Sequence, residues 1–157
     1  MKNLSRAARR VEAALRERGF EVTIQELSQS TRTAREAAEA VGVSVGQIVK
    51  SLVFVAGEEP VLVCASGANR VSLEKLAELL GRPVRKASPE EVREATGFAI
   101  GGVPPLGHAR PLRTLIDRDL LQYDEIWAAA GTPYAVFRTA PAQLLAMTRG
   151  EVVDLAE

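Results

Sequence analysis

Residues 49–65 read VKSLVFVAGEEPVLVCA, and this stretch decides the fold. Two β-prone runs, 49–55 and 61–65, flank AGEEP at 56–60, which is turn chemistry. The pattern predicts a β-hairpin. The second run is apolar at every position, so it is expected to be covered on both faces and to lie centrally in a sheet. Lys50 interrupts the first run. Strand alternation puts it on the face of Leu52 and Phe54. A lysine there either lies at the strand end with its ammonium in water and its stem on apolar surface, or points into a cleft.

Working outward, Leu4, Ala7, Ala8, Val11, Ala14 and Leu15 recur at helical spacing until Gly19 ends the pattern. Phe20, Val22 and Ile24 alternate with polar residues as a half-buried strand does. TARE at 33–36 is a capping box ahead of an apolar face made by Ala34, Ala37, Ala38 and Val41, with Gly42 as the stop. Downstream, Ser72 opens a helix that stops at Gly81, and SPEE at 88–91 opens another that ends at Gly97. Strands are expected at 112–117, 125–130 and 133–138. Thr139 and Pro141 begin a last helix that closes at Gly150, before a short strand in VVDL at 152–155. Helices and strands alternate without a regular βαβ rhythm. The expected class is α+β: one domain over 1–157, on a mixed, largely antiparallel sheet.

Composition narrows the function classes. The chain has 157 residues, 46% of them hydrophobic and 25% charged, an ordinary globular balance. Twenty basic and 20 acidic residues give zero net charge, so no global field draws the protein onto nucleic acid or an anionic membrane. Any RNA contact is expected to be local. The one cysteine, Cys64, cannot form an internal disulfide, and its apolar surroundings predict an inert thiol of raised pKa; the expected setting is the reducing cytoplasm. No hydrophobic signal core or membrane-length apolar run is present in the sequence. With one histidine and one cysteine, a histidine-rich metal site is not expected, and no cofactor motif is present. Trp127 and the few other aromatics are not interleaved with basic residues, so no base-stacking platform is indicated.

The second unusual stretch is TGFAIGGVPPLGH at 96–108. Gly101 and Gly102 let a ligand approach the main chain, while Pro104, Pro105 and Gly107 fix the path of the turn. Bare amides on a rigid loop suit a carbonyl or an oxyanion; a rigid turn crossing a sheet edge has the same composition. His108 at the end of the loop is either a structural hydrogen-bonder or a base.

The motifs IVKSLVF at 48–54, RVSLEKLAELLG at 70–81 and ATGFAIGGVPPLGH at 95–108, in this order and spacing, resemble the YbaK family. That family is related to the editing insertion of bacterial prolyl-tRNA synthetase. The resemblance covers nearly the whole chain. It implies a partly open, barrel-like sheet flanked by helices, and a free-standing domain that hydrolyses mischarged aminoacyl-tRNA in trans. The family's functional lysine maps onto Lys50 in the catalytic position. Its substrate-binding loop maps onto Gly101, Gly102, Pro104, Pro105, Leu106 and Gly107; Val103 within the loop and His108 at its end are candidate substrate-binding residues with it, and the small-residue loops at 66–69 and 129–132, with Ser66 and Gly131, are expected to close the walls.

The implied substrate is aminoacyl-tRNA gripped at its acceptor end, with tRNA for proline carrying alanine, cysteine or serine as the expected form. Prolyl-tRNA synthetase is an implied partner, with no membrane, metal or cofactor. Some relatives carry a downstream Asp near the site, whereas the comparable stretch here, AAAGTPYAV at 128–136, has no carboxylate. Two other functions fit the same pocket: a non-catalytic binding module for the acceptor end or a synthetase, and an amino-acid sensor.

Overall fold

The computed structural model describes residues 4–157. In chain order its elements are α1 (Arg6–Glu17), β1 (Ile24–Glu26), α2 (Ala34–Val41), β2 (Ile48–Ala56), β3 (Glu59–Ser66), α3 (Leu73–Leu80), β4 (Val84–Lys86), α4 (Pro89–Thr96), β5 (Arg113–Asp117), β6 (Ile126–Ala129), β7 (Ala135–Thr139), α5 (Pro141–Thr148) and β8 (Glu151–Val153). Short 3-10 turns precede β2 and follow β5.

The helices start where side chains satisfy their free amides. Thr33 Oγ1 accepts from Glu36 N at 3.1 Å while the Glu36 carboxylate accepts from Thr33 N at 3.2 Å, and Ser88 and Glu91 repeat the arrangement. Such caps contribute on the order of 1 kcal/mol each. Ser5 and Ser72 cap α1 and α3.

The hairpin of 49–65 is the centre of the structure. β2 and β3 pair antiparallel from Val49↔Ser66 to Ala56↔Glu59. β3 lies between β2 and β5 and is buried from Val61 to Ser66, as its apolar composition requires. The sheet has eight strands in the order β1-β7-β6-β2-β3-β5-β8, with β4 attached to β2, and it does not close on itself. The β1–β7, β2–β3, β2–β4 and β6–β7 pairs are antiparallel, while β2–β6, β3–β5 and β5–β8 are parallel.

The two faces of the hairpin bury different clusters. Val49, Val53, Leu62 and Cys64 join a main core with α1, α4 and α5, and Phe54, Val61, Val63 and Ala65 form a second core with Leu76 of α3. At about 25 cal/mol per Å² of apolar surface, a buried Leu or Phe contributes roughly 1.5–3 kcal/mol.

Several boundaries differ from the sequence expectation, and one strand is additional to it. Phe20 and Val22 pack on the main core as connecting chain, and the strand begins only at Ile24. α5 is capped by Ala140 and stops at Arg149, which takes φ 55, leaving Gly150 outside. Gly150 has another reason to be bare: a Cβ there would lie 2.6 Å from Ile116 Cγ1. β4 was not expected at all.

Candidate functional site

β2 is paired along one side by β3, but on the other side β6 meets it only at Ile48 and Val49, and β4 only from Phe54 to Ala56. Residues 50–53 therefore have no strand beside them on that side. A cavity of about 440 Å³ occupies the gap, with Lys50 to Val53 in its lining. The start of α2, the first half of the glycine-proline loop and the ends of β4 and β6 surround it. Its volume is that of an ordinary small-molecule site.

Lys50 is half-buried, and its Nζ donates to the Asn69 carbonyl at 2.6 Å. Burial pushes its pKa below the ordinary lysine value; the negative Asp117 opposes that shift, and Arg70 and Lys86 add to it. The cavity lining contains three cations, Arg32, Lys50 and Lys86, and among the described residues no Asp or Glu lines it. Arg32 and Lys86 are exposed and enter no ion pair among the described residues. In a chain of zero net charge this is a local positive field, and it suits an anionic ligand.

The loop divides into two parts. Gly101 and Val103 line the cavity, and their amides donate to no group among the described residues. Gly101 has φ 94, and a Cβ on it would come within 2.8 Å of Arg32 Cγ, so its bareness seats the stem of a cavity cation. Gly102 serves packing instead. Its amide donates to Ala99 O at 3.1 Å and its carbonyl accepts from Gly131 N at 2.9 Å.

Pro104, Pro105 and Leu106 are buried behind the cavity wall, Leu106 within the main core. Gly107 packs on Ala14 of α1. The His108 ring meets the Pro104 carbonyl at 2.7 Å through Nε2, which must donate because a carbonyl only accepts. Burial holds the His108 pKa below its ordinary value. His108 closes the loop and does not line the cavity.

Ser66 and Gly131 also stand back from the cavity. Ser66 Oγ donates to Gly46 O at 2.7 Å, and Gly131 packs against the Ala7 backbone of α1. Sequence reasoning missed Arg32, Thr33 and Lys86 as lining residues: Arg32 and Lys86 come from polar segments with no motif of their own, and Thr33 was read only as the cap of α2. It also missed Asp117, a fully buried carboxylate near Lys50. Cys64, directly across from Ser51, is buried and its thiol is pushed up to about 12. Ser51 Oγ is buried beside it outside good hydrogen-bond geometry.

An open mixed sheet carries a lysine on its central strand, beside a bare loop and a cationic cavity. The aminoacyl-tRNA editing domain model matches residues 28–147, and the chain belongs to that family. A crystal structure of a protein provisionally described as a trans-editing enzyme for prolyl tRNA synthetase shares 58% sequence identity, covers 99% of both chains and superposes with a TM-score of 0.95. Among curated relatives, the uncharacterized protein YwhH of Bacillus subtilis is 34% identical over 122 residues, 77% of this chain and 78% of its own. A protein of Enterococcus faecalis provisionally named Cys-tRNA(Pro)/Cys-tRNA(Cys) deacylase EbsC is 28% identical over 130 residues, 82% of this chain and 79% of its own. Among the described residues no helix is long and apolar enough to cross a membrane.

Proposed function

We propose that this chain is a trans-editing deacylase that hydrolyses the ester between a small mischarged amino acid and tRNA, with tRNA for proline as the preferred carrier. The observation that carries the reading is the cavity itself: among the described residues, three cations and no carboxylate surround an apolar gap in the sheet. The cations suit the phosphate and ribose of an acceptor end, and the apolar floor suits a small side chain. The family membership supports the tRNA substrate, and the names of two relatives support prolyl-tRNA synthetase as the source of errors. Such a substrate places the work in the cytoplasm.

The reaction needs little covalent chemistry from the protein. Water adds to the ester carbonyl, the tetrahedral oxyanion collapses, and the terminal ribose oxygen leaves with a proton, giving free amino acid and tRNA. In this reading the amides of Gly101 and Val103, which line the cavity and donate to no group among the described residues, meet the oxyanion, and the Lys50 ammonium holds the ribose–phosphate end or the carbonyl as a point charge. The described lining has no carboxylate or imidazole, and in this reading the proton from water passes to solvent or to a group on the substrate. Selection is by size. Bulk is rejected by the wall, while small residues differing by one methylene are separated by only about 1–3 kcal/mol.

One observation favours a second reading. A described lining without carboxylate or imidazole also fits a module that binds the acceptor end and leaves the ester intact. Single-turnover hydrolysis of Ala-, Cys-, Ser- and Pro-tRNA(Pro) separates the two. The deacylase reading expects hydrolysis of at least one small residue with proline spared. Binding without hydrolysis of any of the four establishes the module, and rapid removal of proline overturns the size filter.

A further inference from the structure

Among the described residues Asp117 is the one carboxylate in the buried set, and it has no exposed surface. It ends β5, and among the described residues no lysine or arginine forms an ion pair with it. A carboxylate is kept in such a place only where hydrogen bonds offset its lost hydration. Here Oδ2 accepts from Ser66 N at 3.0 Å and from Asn69 Nδ2 at 2.9 Å, and Oδ1 accepts from Asp119 N at 2.9 Å.

The two bonds to Oδ2 converge on the turn at 66–69, while the bond to Oδ1 caps the 3-10 turn that follows β5. Asn69 N donates to Ser66 O at 3.0 Å, closing the turn, and the Asn69 side chain also reaches Asp119 Oδ2 at 2.8 Å. What the pinned turn presents on its other side is the Asn69 carbonyl, the acceptor of Lys50 Nζ at 2.6 Å. The chain of contacts runs from a buried charge, through one turn, to the one lysine in the gap of the sheet.

We propose that Asp117 is a positioning residue for Lys50: through Ser66 and Asn69 it fixes the carbonyl that seats the ammonium at the cavity. Its charge works in the same direction as its geometry. Around Lys50, Arg70 beyond β3, Lys86 of β4 and burial all disfavour the ammonium, and Asp117 opposes them. Asp119 lies one bond further out, on Asn69. The functional weight of the inference rests on Lys50 acting in the cavity, so its test needs no substrate.

Side-chain NMR of Lys50, by 13Cε titration and by solvent exchange of its ammonium protons, is measured in wild type, Asp117→Asn and Asn69→Ala. Asn69→Ala keeps the backbone carbonyl but removes its tie to both carboxylates, and it remains informative should Asp117→Asn fail to fold. Asp117→Asn is expected to lower the Lys50 pKa by about one pH unit, the effect of losing a nearby opposite charge. Asn69→Ala is expected to speed ammonium exchange by roughly tenfold as the acceptor loosens. Lys50 titrating and exchanging as in wild type in the folded variants overturns the proposal. Altered Lys50 behaviour with no hydrolysis by the wild-type chain upholds the positioning and overturns the deacylase reading instead.

Discussion

Gly131 N donates to the Gly102 carbonyl at 2.9 Å, and this bond ties the glycine-proline loop to the turn between β6 and β7. The two backbones approach so closely that a Cβ on Gly102 would lie 2.7 Å from Thr132 Cα. The obstacle is main chain and cannot rotate away. Gly102→Ala is therefore expected to destabilise the fold by about 1–3 kcal/mol, the range for overpacking a tight contact. Urea denaturation should show a lower midpoint at unchanged slope. An unchanged midpoint would mean that the two loops part without cost.

His108 gives a pH prediction. Its folded pKa lies below the ordinary 6.5, chiefly through burial. Between the two values the unfolded chain binds the proton and the native chain does not, so stability rises with pH across that window. It is fully present above about 6.5 and is lost as pH falls through the folded value. His108→Gln retains a donor for Pro104 O and should flatten that part of the profile. Parallel profiles for the two proteins, from unfolding measured between pH 8 and pH 5, would show that His108 is not buried as the neutral ring.

Cys64 should behave as core. With no exposed surface and a thiol pushed up to about 12, it presents neither thiolate nor access to a reagent. Iodoacetamide should leave the native protein unmodified and label it fully in denaturant. Labelling of the folded chain at the rate of a free thiol would contradict this placement.

Arg32 and Lys86 carry the salt prediction. Both line the cavity. If each meets one phosphate, Arg32→Gln or Lys86→Gln should weaken binding of an acceptor-stem RNA and reduce the slope of log K against log salt by about 0.7–0.9. An unaltered slope in both variants would place the RNA backbone elsewhere.

Local chemistry made much of this readable in advance. The capping boxes at Thr33 and Ser88, the hairpin turn and the burial of β3 all follow from short-range patterns. Lys50 stood out because a charge on an apolar strand face needs a reason. The parallel β2–β6, β3–β5 and β5–β8 pairs join segments distant in sequence, which no local period records. Val84–Lys86 has only three residues, two of them exposed and charged, so its pairing with β2 left no apolar signature. Asp117 ends an expected strand with no motif around it; only the return of the 66–69 turn over it makes it a buried anchor. The two adjacent glycines looked equivalent, yet Gly101 faces the cavity and Gly102 a neighbouring backbone.

The central claim is that the Lys50 ammonium, held at the gap in the sheet, supports ester hydrolysis. The direct measurement is single-turnover deacylation of mischarged tRNA(Pro) by wild type and Lys50→Ala, with thermal unfolding of both. Loss of one positioned charge costs about 2–4 kcal/mol of barrier, roughly two to three orders of magnitude in rate. The account predicts a folded variant slowed by that much. A Lys50→Ala protein that unfolds like wild type and hydrolyses the ester at the wild-type rate would contradict it.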